Sequence, residues 1–432
     1  MLAAMSASPL TPRSPGDACA RSSGDACPGA LRLHRADDGA LARIRIPGGV
    51  LTPRQARELG NAAERFGDGE LHLTSRGNVQ LRGLAPDCGA DLAGLLEGAG
   101  LLPSQRHERV RNVVASPLSG LDGAGITDVG PWLAELDRLL CASDRATELS
   151  GRFLFALDDG RGDVDALGAD LTLIGHDAGA ALRVGSTDPV FRLPCAEGPR
   201  ALLVAAGSFL DAAGETGAWR VEDLPGDAGT ALADEVVRRL RQAGVTTSPA
   251  HRPRPLEART PVPGPVRGGG REAALSVGVP LGRLDLAQWQ LLSSAGEMRL
   301  TPWRGVVVTG VALHAAEALT SALAEAGLIT GSGSAWAGVG ACVGRPGCAK
   351  SLADVRAQAG AAVGPRGRLP VYWSGCERRC GHPHGEWIDV VATPDGHRIS
   401  HVRGDRAGGP VTVRDDPAAL AAAVAAARGT GS

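Results

Sequence analysis

The chain of 432 residues is poor in lysine and in aromatic side chains. It has 45 basic residues, yet Lys350 is the only lysine, so every other fixed cation is an arginine. Arginine is a poor proton donor and a good planar binder of carboxylates, whereas lysine can do acid-base work. Chemistry that depends on several lysines around one reacting group is therefore excluded.

Long apolar runs and a strong charge excess are also missing. No run approaches the roughly 20 residues that a membrane-spanning helix needs, and the first residues lack the charged-then-apolar order of a signal peptide. The net charge of -2 does not indicate binding to nucleic acid or to a membrane surface. We expect a cytoplasmic protein with neither of these partners. Its 43% hydrophobic and 21% charged content is globular, and its length predicts two or three domains.

An internal duplication organises the sequence. Residues 69–84 and 296–311 match without gaps at an offset of 227, and both show the period-two apolar pattern of two strands joined by a turn. Upstream, residues 46–67 and 279–296 both indicate a strand end followed by a helix, capped by Thr52 or Asp285. The repeated unit is strand, helix, hairpin, and two such sheets commonly face each other across a cleft.

The predicted fold class is α+β, with each repeat followed by a second α+β module. The predicted divisions are a disordered arm over 1–30, a first half-domain over 31–106, a first module over 107–250, a Pro- and Gly-rich linker over 251–270, a second half-domain over 271–331 and a second module over 332–427. An alanine-rich segment near the end of the last module predicts a purely structural helix.

Four of the nine cysteines form a pattern, C-x5-C and C-x3-C with 27 residues between the pairs. They are Cys342, Cys348, Cys376 and Cys380. Both pairs lie in Gly- and Pro-rich loops, which allow thiolates to converge on a 4Fe-4S cluster. Structural zinc is the competing interpretation, but it usually uses tighter C-x2-C pairs. The other five are expected to be structural: Cys19, Cys27, Cys88, Cys141 and Cys195.

Together with these features, three segments resemble the sulfite and nitrite reductase superfamily over nearly the whole chain after residue 30. The segments are RIRIPGG at 43–49, LTSRGNVQLRG at 73–83 and RNVVASPLSG at 111–120. The resemblance implies two ferredoxin-like half-domains around a central tetrapyrrole cleft, a 4Fe-4S cluster on the four cysteines, and arginines that hold the tetrapyrrole carboxylates. The implied binding residues are Arg45, Arg76, Asn78, Gln80, Arg111 and Arg152.

The segment 150–163 distinguishes branches of the superfamily. Reductases of the superfamily carry proton-donating lysines in it, whereas this chain has SGRFLFALDDGRGD. FALDDGRGD at 155–163 and ACPGALRLH at 26–34 are instead similar to the precorrin-3B synthase family. That resemblance implies a monooxygenase of aerobic cobalamin synthesis, which hydroxylates precorrin-3A at C20 with γ-lactone formation. Dioxygen is the oxidant, and a separate NADH-dependent donor supplies electrons through the cluster.

The resemblance further implies a mononuclear non-haem iron. Candidate ligands are His72, His107, His382, His384, Asp158 and Asp159, and neither the iron ligands nor a catalytic residue can be singled out. A sirohaem-dependent sulfite or nitrite reductase is the alternative function. An iron-sulfur electron carrier or a tetrapyrrole-binding chaperone, without turnover, is a third interpretation.

Overall fold

The computed structural model describes residues 25, 27–176, 179–188, 190–252, 260–266, 268, 272–383, 385–404, 406–414 and 416–429. Most of the predicted arm, the middle of the predicted linker and His384 lie outside the described residues. Within these ranges, no helix combines the length and the apolar character needed to cross a membrane.

The two half-domains repeat one order of elements, as the sequence predicts. The first contains β1 (His34–Ala36), β2 (Gly39–Ile44), β3 (Val50–Leu51), α1 (Pro53–Phe66), β4 (Glu70–Leu73), β5 (Val79–Leu84) and α2 (Gly89–Gly98). The first module follows with β6 (Val113–Ala115), α3 (Gly130–Ala142), β7 (Phe155–Asp158), β8 (Leu171–His176), β9 (Gly179–Val184), β10 (Val190–Leu193), α4 (Gly198–Thr216), α5 (Ala228–Gln242) and β11 (Ser248–Ala250). The second half-domain contains β12 (Gly264–Val266), β13 (Glu272–Gly278), β14 (Arg283–Asp285), α6 (Leu286–Ala295), β15 (Glu297–Leu300), β16 (Gly305–Ala312) and α7 (Ala316–Glu325).

The second module completes the chain. It contains β17 (Val339–Ala341), α8 (Val355–Ala361), β18 (Val371–Ser374), β19 (Glu386–Thr393), β20 (Gly396–Arg403), β21 (Arg406–Ala407), β22 (Val411–Val413) and α9 (Pro417–Arg428). The mixed architecture confirms the predicted α+β class. The alanine-rich segment forms α9, with Asp416 capping its first turn.

The half-domains exchange one strand each. The first sheet has the order β1-β2-β5-β4-β14, and the second has the order β12-β13-β16-β15-β3. Thus β14 of the second half pairs with β4 of the first, and β3 of the first half pairs with β15 of the second. The sequence predicted the duplication but not this exchange, because strands of two or three residues carry no periodic signal.

A glycine makes one of these crossings possible. Gly49 has a φ of 73° and lies directly over the end of β15, where a Cβ atom would come within 2.0 Å of the Leu300 carbonyl oxygen. Only a residue without a side chain can take both this conformation and this approach. The turn 47–49 therefore delivers β3 to the opposite sheet.

Both helices that follow the exchanged strands begin with the predicted caps. Thr52 and Gln55 form a capping box at α1, and Asp285 and Gln288 form the equivalent box at α6. In each box the side chain of the cap residue accepts the backbone N–H of the glutamine. The glutamine side chain in turn accepts the backbone N–H of the cap residue. The matching caps confirm that the two halves repeat at the level of single residues.

One hydrophobic core serves both half-domains. Leu51, Leu71, Leu284 and Met298, from the four strands of the exchange, are fully buried in it. Trp289 of α6 is 1% exposed and donates its indole N–H to the Ala56 carbonyl oxygen of α1 over 2.6 Å. The half-domains are therefore halves of a single packed unit.

The two modules are built on separate sheets. The sheet of the first module has the order β11-β10-β9-β8-β7-β6, and the core beneath it contains α3, α4 and α5. The sheet of the second module begins β17-β18-β19-β20, with β17, β18 and β19 parallel. The carboxyl ends of neighbouring parallel strands share one edge of a sheet, which is a common place for a site.

The end of the predicted arm is packed before residue 30. The carboxylate of Asp25 accepts the N–H of Gly151 over 2.7 Å, and the backbone N–H groups of Ala30 and Leu31 both donate to Glu108 over 2.7 Å. A composition rich in small residues predicts an arm, but these hydrogen bonds to residues distant in sequence anchor its last residues.

We expect Trp289→Ala to lower the free energy of unfolding by ~3–5 kcal/mol, because it removes a fully buried indole from the shared core. Urea unfolding followed by circular dichroism measures the change. Leu313→Ala is the control, since Leu313 is 61% exposed and its loss should change the free energy by less than about 0.5 kcal/mol. A Trp289 variant as stable as the control would contradict a common core.

Candidate functional site

The four predicted cysteine ligands follow two adjacent parallel strands. Cys342 comes directly after β17, and Cys376 lies two residues after β18. Since Ala341 is in register with Trp373, both cysteine pairs begin at the same sheet edge. The Gly375 N–H donates to the Cys342 sulfur over 3.2 Å, which links the two loops directly.

The four sulfurs influence one another electrostatically. Burial raises the pKa of Cys342, and the neighbouring Cys376 and Cys380 raise it further. Burial, followed by the charges of Cys376 and Cys348, also raises the pKa of Cys380. Several thiolates so close together repel each other unless a cationic centre binds them. This donor set fits a metal group.

The spacing of the sulfurs distinguishes between zinc and a cluster. Tetrahedral zinc holds thiolates about 2.3 Å from the metal, which places the sulfurs about 3.8 Å apart. Among the described residues, the groups whose ligand atoms all lie within 4.8 Å of one another consist of carboxylates and one histidine, and the four cysteines do not form such a group. The sulfurs are therefore not placed as a tetrahedral zinc site requires, which leaves a larger metal group as the better fit for these four donors.

Tight packing keeps the two cysteine loops, residues 342–348 and 376–380, in place. A Cβ atom at Gly375 would lie 1.8 Å from the Ser351 hydroxyl, and one at Gly344 would lie 2.8 Å from Val355. The Tyr372 hydroxyl donates to the Cys380 carbonyl oxygen over 2.6 Å. Arg82 joins this module to the first half-domain, because it binds Asp38 with both fork nitrogens and donates to the Gly347 carbonyl oxygen over 2.9 Å.

Two sets of arginines in the first half differ in their partners. Arg82, Arg109, Arg111, Arg161, Arg183 and Arg220 each form an ion pair with an aspartate. Within the described part of the chain, Arg43, Arg45, Arg76 and Arg152 have no carboxylate partner. The second group is therefore available to an anion.

Arg45 and Arg43 lie on one face at the end of β2. Arg45 donates to the Arg109 and Gly151 carbonyl oxygens, but its buried Nη1 has no hydrogen-bond partner. The buried Nε of Arg43 also has none, and burial, followed by the charge of Arg45, lowers the pKa of Arg43 to about 10. Buried donors without acceptors cost free energy, which an anionic ligand would recover.

Arg76 extends this group at the tip of the first hairpin. Its Nη1 donates to the Arg152 carbonyl oxygen over 3.0 Å. Burial, followed by the charges of Arg220 and Arg45, lowers the pKa of Arg76 to about 10. The Arg152 guanidinium lies over the Trp219 ring, 4.3 Å from its centroid. Three of the predicted binding residues, Arg45, Arg76 and Arg152, are thus neighbours.

The other three predicted binding residues make contacts within the protein. Arg111 binds both oxygens of Asp137 over 2.7 and 2.8 Å. Asn78 is 1% exposed, accepts the Ile46 N–H and donates to the side chain of Asn112. Gln80 accepts from Arg43 Nη2 over 3.2 Å. In this conformation Arg111 and Asn78 are occupied by protein partners, whereas Gln80 orients the Arg43 guanidinium.

The candidate iron ligands that the structure describes do not meet in one group: His107 and His382 lie apart from the pair Asp158 and Asp159. His107 uses both ring nitrogens, on the Ser104 hydroxyl and the Ser143 carbonyl oxygen. His382 stacks on Trp387 with centroids 5.5 Å apart. Asp158 accepts four backbone N–H groups, and Asp159 binds Arg161. These two aspartates approach Asp163, but they are already satisfied by protein donors.

His72 lies with Asp68 and Glu70 in a second group of possible ligands. The neighbour of its Nδ1 is Arg356 Nη1 at 3.3 Å, and a guanidinium only donates. The proton of neutral His72 therefore lies on Nε2, the atom that faces both carboxylates at 3.7 Å. A protonated nitrogen does not bind a metal ion. A metal ion at Nε2 would require this proton to move to Nδ1, beside the Arg356 guanidinium, and we derive no step from a mononuclear iron.

Comparisons with known proteins agree with this architecture. Residues 33–97 match the family model of the nitrite/sulfite reductase ferredoxin-like half domain. The fold is similar to that of the Mycobacterium tuberculosis NirA protein, with a TM-score of 0.69 and 20% identity over 87% of this chain and 77% of that one. A precorrin-3B synthase of Sinorhizobium sp is 27% identical over 391 residues, which cover 87% of this chain and 82% of that protein.

The chain is thus similar in sequence to a precorrin-3B synthase and, over residues 33–97, to the nitrite/sulfite reductase half domain, and it shares the fold of NirA. A ferredoxin–nitrite reductase of Synechococcus elongatus is 35% identical over a shorter stretch of 127 residues, 28% of this chain and 25% of that protein. In this chain, the sole lysine, Lys350, is exposed in the loop after Cys348, beside Cys376 and Arg378. It is not part of the arginine group.

Two neighbours of Arg45, namely Cys27 and Arg43, are not among the binding residues predicted from the sequence. Cys27, expected to be structural, lies 3.1 Å from Arg45 Nη2. Arg43 lies in β2 and Arg45 directly follows the end of that strand, so continued strand alternation places both side chains on one face. No periodic signal surrounds Cys27, although the ACPGALRLH segment that contains it contributed to the family resemblance.

We expect Cys348→Ser and Cys376→Ser to lose most of the iron and acid-labile sulfide, because each removes one of four thiolate ligands. Iron and sulfide per chain are measured after purification without oxygen. The matched control is Cys88→Ser, which changes a half-buried cysteine at the start of α2 and should keep the cluster. Equal iron loss in all three variants would contradict the assignment of the ligands.

Proposed function

We propose that this protein is a precorrin-3B synthase-like monooxygenase of aerobic cobalamin synthesis. Its substrate is precorrin-3A, a tetrapyrrole with many carboxylates. In the proposed reaction one atom of dioxygen enters the substrate as the C20 hydroxyl group, with γ-lactone formation, and the other leaves as water. Two electrons from NADH balance the reaction and arrive through a separate donor protein. The cluster, when bound to the four cysteines, supplies one-electron transfer.

The observation that carries this proposal is a group of four arginines at one place in the fold that have no carboxylate partner among the described residues. Arg43, Arg45, Arg76 and Arg152 concentrate positive charge where the protein provides only carbonyl, amide, sulfur and aromatic contacts. Guanidinium forks bind carboxylates in a bidentate manner, and such charge-assisted bonds are about twice as strong as neutral ones. A ligand with several carboxylates satisfies these groups better than a small oxyanion can.

The lysine content supports an oxygenase over the alternative, a sirohaem-dependent sulfite or nitrite reductase. Reduction of those oxyanions consumes several protons, and lysine is a suitable donor whereas arginine is not. The segment 150–163 brings Arg152 to the site and contains no lysine. The similarity to the Sinorhizobium precorrin-3B synthase over most of both chains points in the same direction.

The deciding experiment is an absorption spectrum of protein purified without oxygen, combined with analysis of iron, sulfide and extractable tetrapyrrole. We expect the broad thiolate-to-iron absorption of a 4Fe-4S cluster and no sirohaem bands. Addition of precorrin-3A, dioxygen and a reducing system should then give the hydroxylated lactone, detected by mass spectrometry. Stoichiometric sirohaem with intense Soret bands would support the reductase instead.

Arg45→Ala and Arg76→Ala should weaken binding of a tetrapyrrole polycarboxylate by roughly 10- to 100-fold each, since a hydrogen bond to a charged group contributes about 1.5–3 kcal/mol. Titration monitored by porphyrin fluorescence measures the dissociation constant, and the cluster content should stay unchanged. Arg138→Ala, which removes an exposed arginine paired with Glu135, is the charge-matched control. Unchanged affinity in both site variants would contradict the carboxylate-binding role.

A further inference from the structure

Cys27 lies between two of the arginines that have no carboxylate partner. Its sulfur is 3.1 Å from Arg45 Nη2, 4.0 Å from Arg43 Nη1 and 3.4 Å from the Gly151 carbonyl oxygen. We call Cys27, Arg43, Arg45 and Gly151 the thiol corner. A sulfur is a weak hydrogen-bond acceptor, so two guanidinium groups face an atom that satisfies neither of them.

The thiol corner is built by close packing. A Cβ atom on Gly151 would lie 3.0 Å from the Cys27 Cβ and 3.1 Å from its sulfur, so the absence of a side chain at 151 lets the two segments meet. On one side, Asp25 accepts the Gly151 N–H and pairs with Arg109. On the other, Glu108 holds the backbone of Ala30 and Leu31. The position of Cys27 is therefore fixed from both directions along the chain.

The guanidinium groups of the thiol corner have unused donors. Arg45 is 3% exposed, and its Nη1 is buried without a hydrogen-bond partner. The Nε of Arg43 is also buried and has no hydrogen-bond partner among the described residues. Proteins rarely leave charged donors unsatisfied, and the described contacts of both side chains are to neutral groups. A ligand carboxylate that approached the sulfur would find donors on two sides.

We propose that the thiol corner is a subsite for one carboxylate arm of the substrate, and that Cys27 is a specificity-determining residue within it. This inference rests on the proposed function, because it assigns a position to one arm of the tetrapyrrole. The cysteine side chain is small and is not a carboxylate, so donors of both arginines stay unused in the free protein. A carboxylate in place of the thiol would satisfy both arginines internally and would exclude the arm.

The experiment uses the full chain and uroporphyrin, a porphyrin with eight carboxylates, as the probe. Cys27→Asp should raise its dissociation constant at least tenfold, whereas Cys27→Ser should change it less than threefold, since serine adds no charge. Cys88→Asp is the matched control, because Cys88 stands at the N-cap of α2, where aspartate is well tolerated. Thermal unfolding followed by circular dichroism verifies that each variant is folded.

A second measurement needs no variant. Saturating uroporphyrin should slow alkylation of Cys27 by N-ethylmaleimide more than tenfold in the wild-type protein, as followed by peptide mass spectrometry. The half-buried Cys88 and Cys195 should react at unchanged rates. Binding without protection of Cys27, or a folded Cys27→Asp variant of wild-type affinity, would overturn the subsite and leave the proposed function standing. A wild-type protein that does not bind the probe would overturn both.

Discussion

The exchange of β3 and β14 is the constraint on which the rest of this structure depends. Each half-domain lacks an edge strand of its own and obtains it from the other half, so neither sheet is complete alone. The exchanged strands lead directly into α1 and α6, whose packing is fixed by the buried indole of Trp289. Once these elements are docked, both hairpin tips meet the first module, with Arg76 bonded to Arg152 and Trp303 packed near Leu154.

The repeated elements could be predicted because their signals are local. Alternating apolar residues define β4 with β5 and β15 with β16, and the caps Thr52 and Asp285 mark where α1 and α6 begin. The pairing of β3 with β15 has no such signal, since it depends on the turn at Gly49 and on a surface supplied by distant residues. Local chemistry determines which elements form, while the shared core determines which edges pair.

The same distinction applies to the site. The cysteine pattern could be recognised because four ligands must converge on one group, and their spacing reflects that requirement. An arginine that binds a ligand and one that binds Asp137 look alike in a sequence, because the partner is defined only by the fold. Arg111 and Arg45 therefore received the same prediction, although only Arg45 has an unused donor. Cys27 carried no spacing signal at all.

The pairing of Val50 with Arg299 has a consequence for how the protein reaches its native state. These residues lie roughly 250 positions apart, and contacts so distant in sequence slow folding because a large loop must close before they form. During synthesis on the ribosome, the first sheet stays open until the second half has emerged. The early product of translation therefore exposes unpaired strand edges for many seconds, and such edges can pair with other chains.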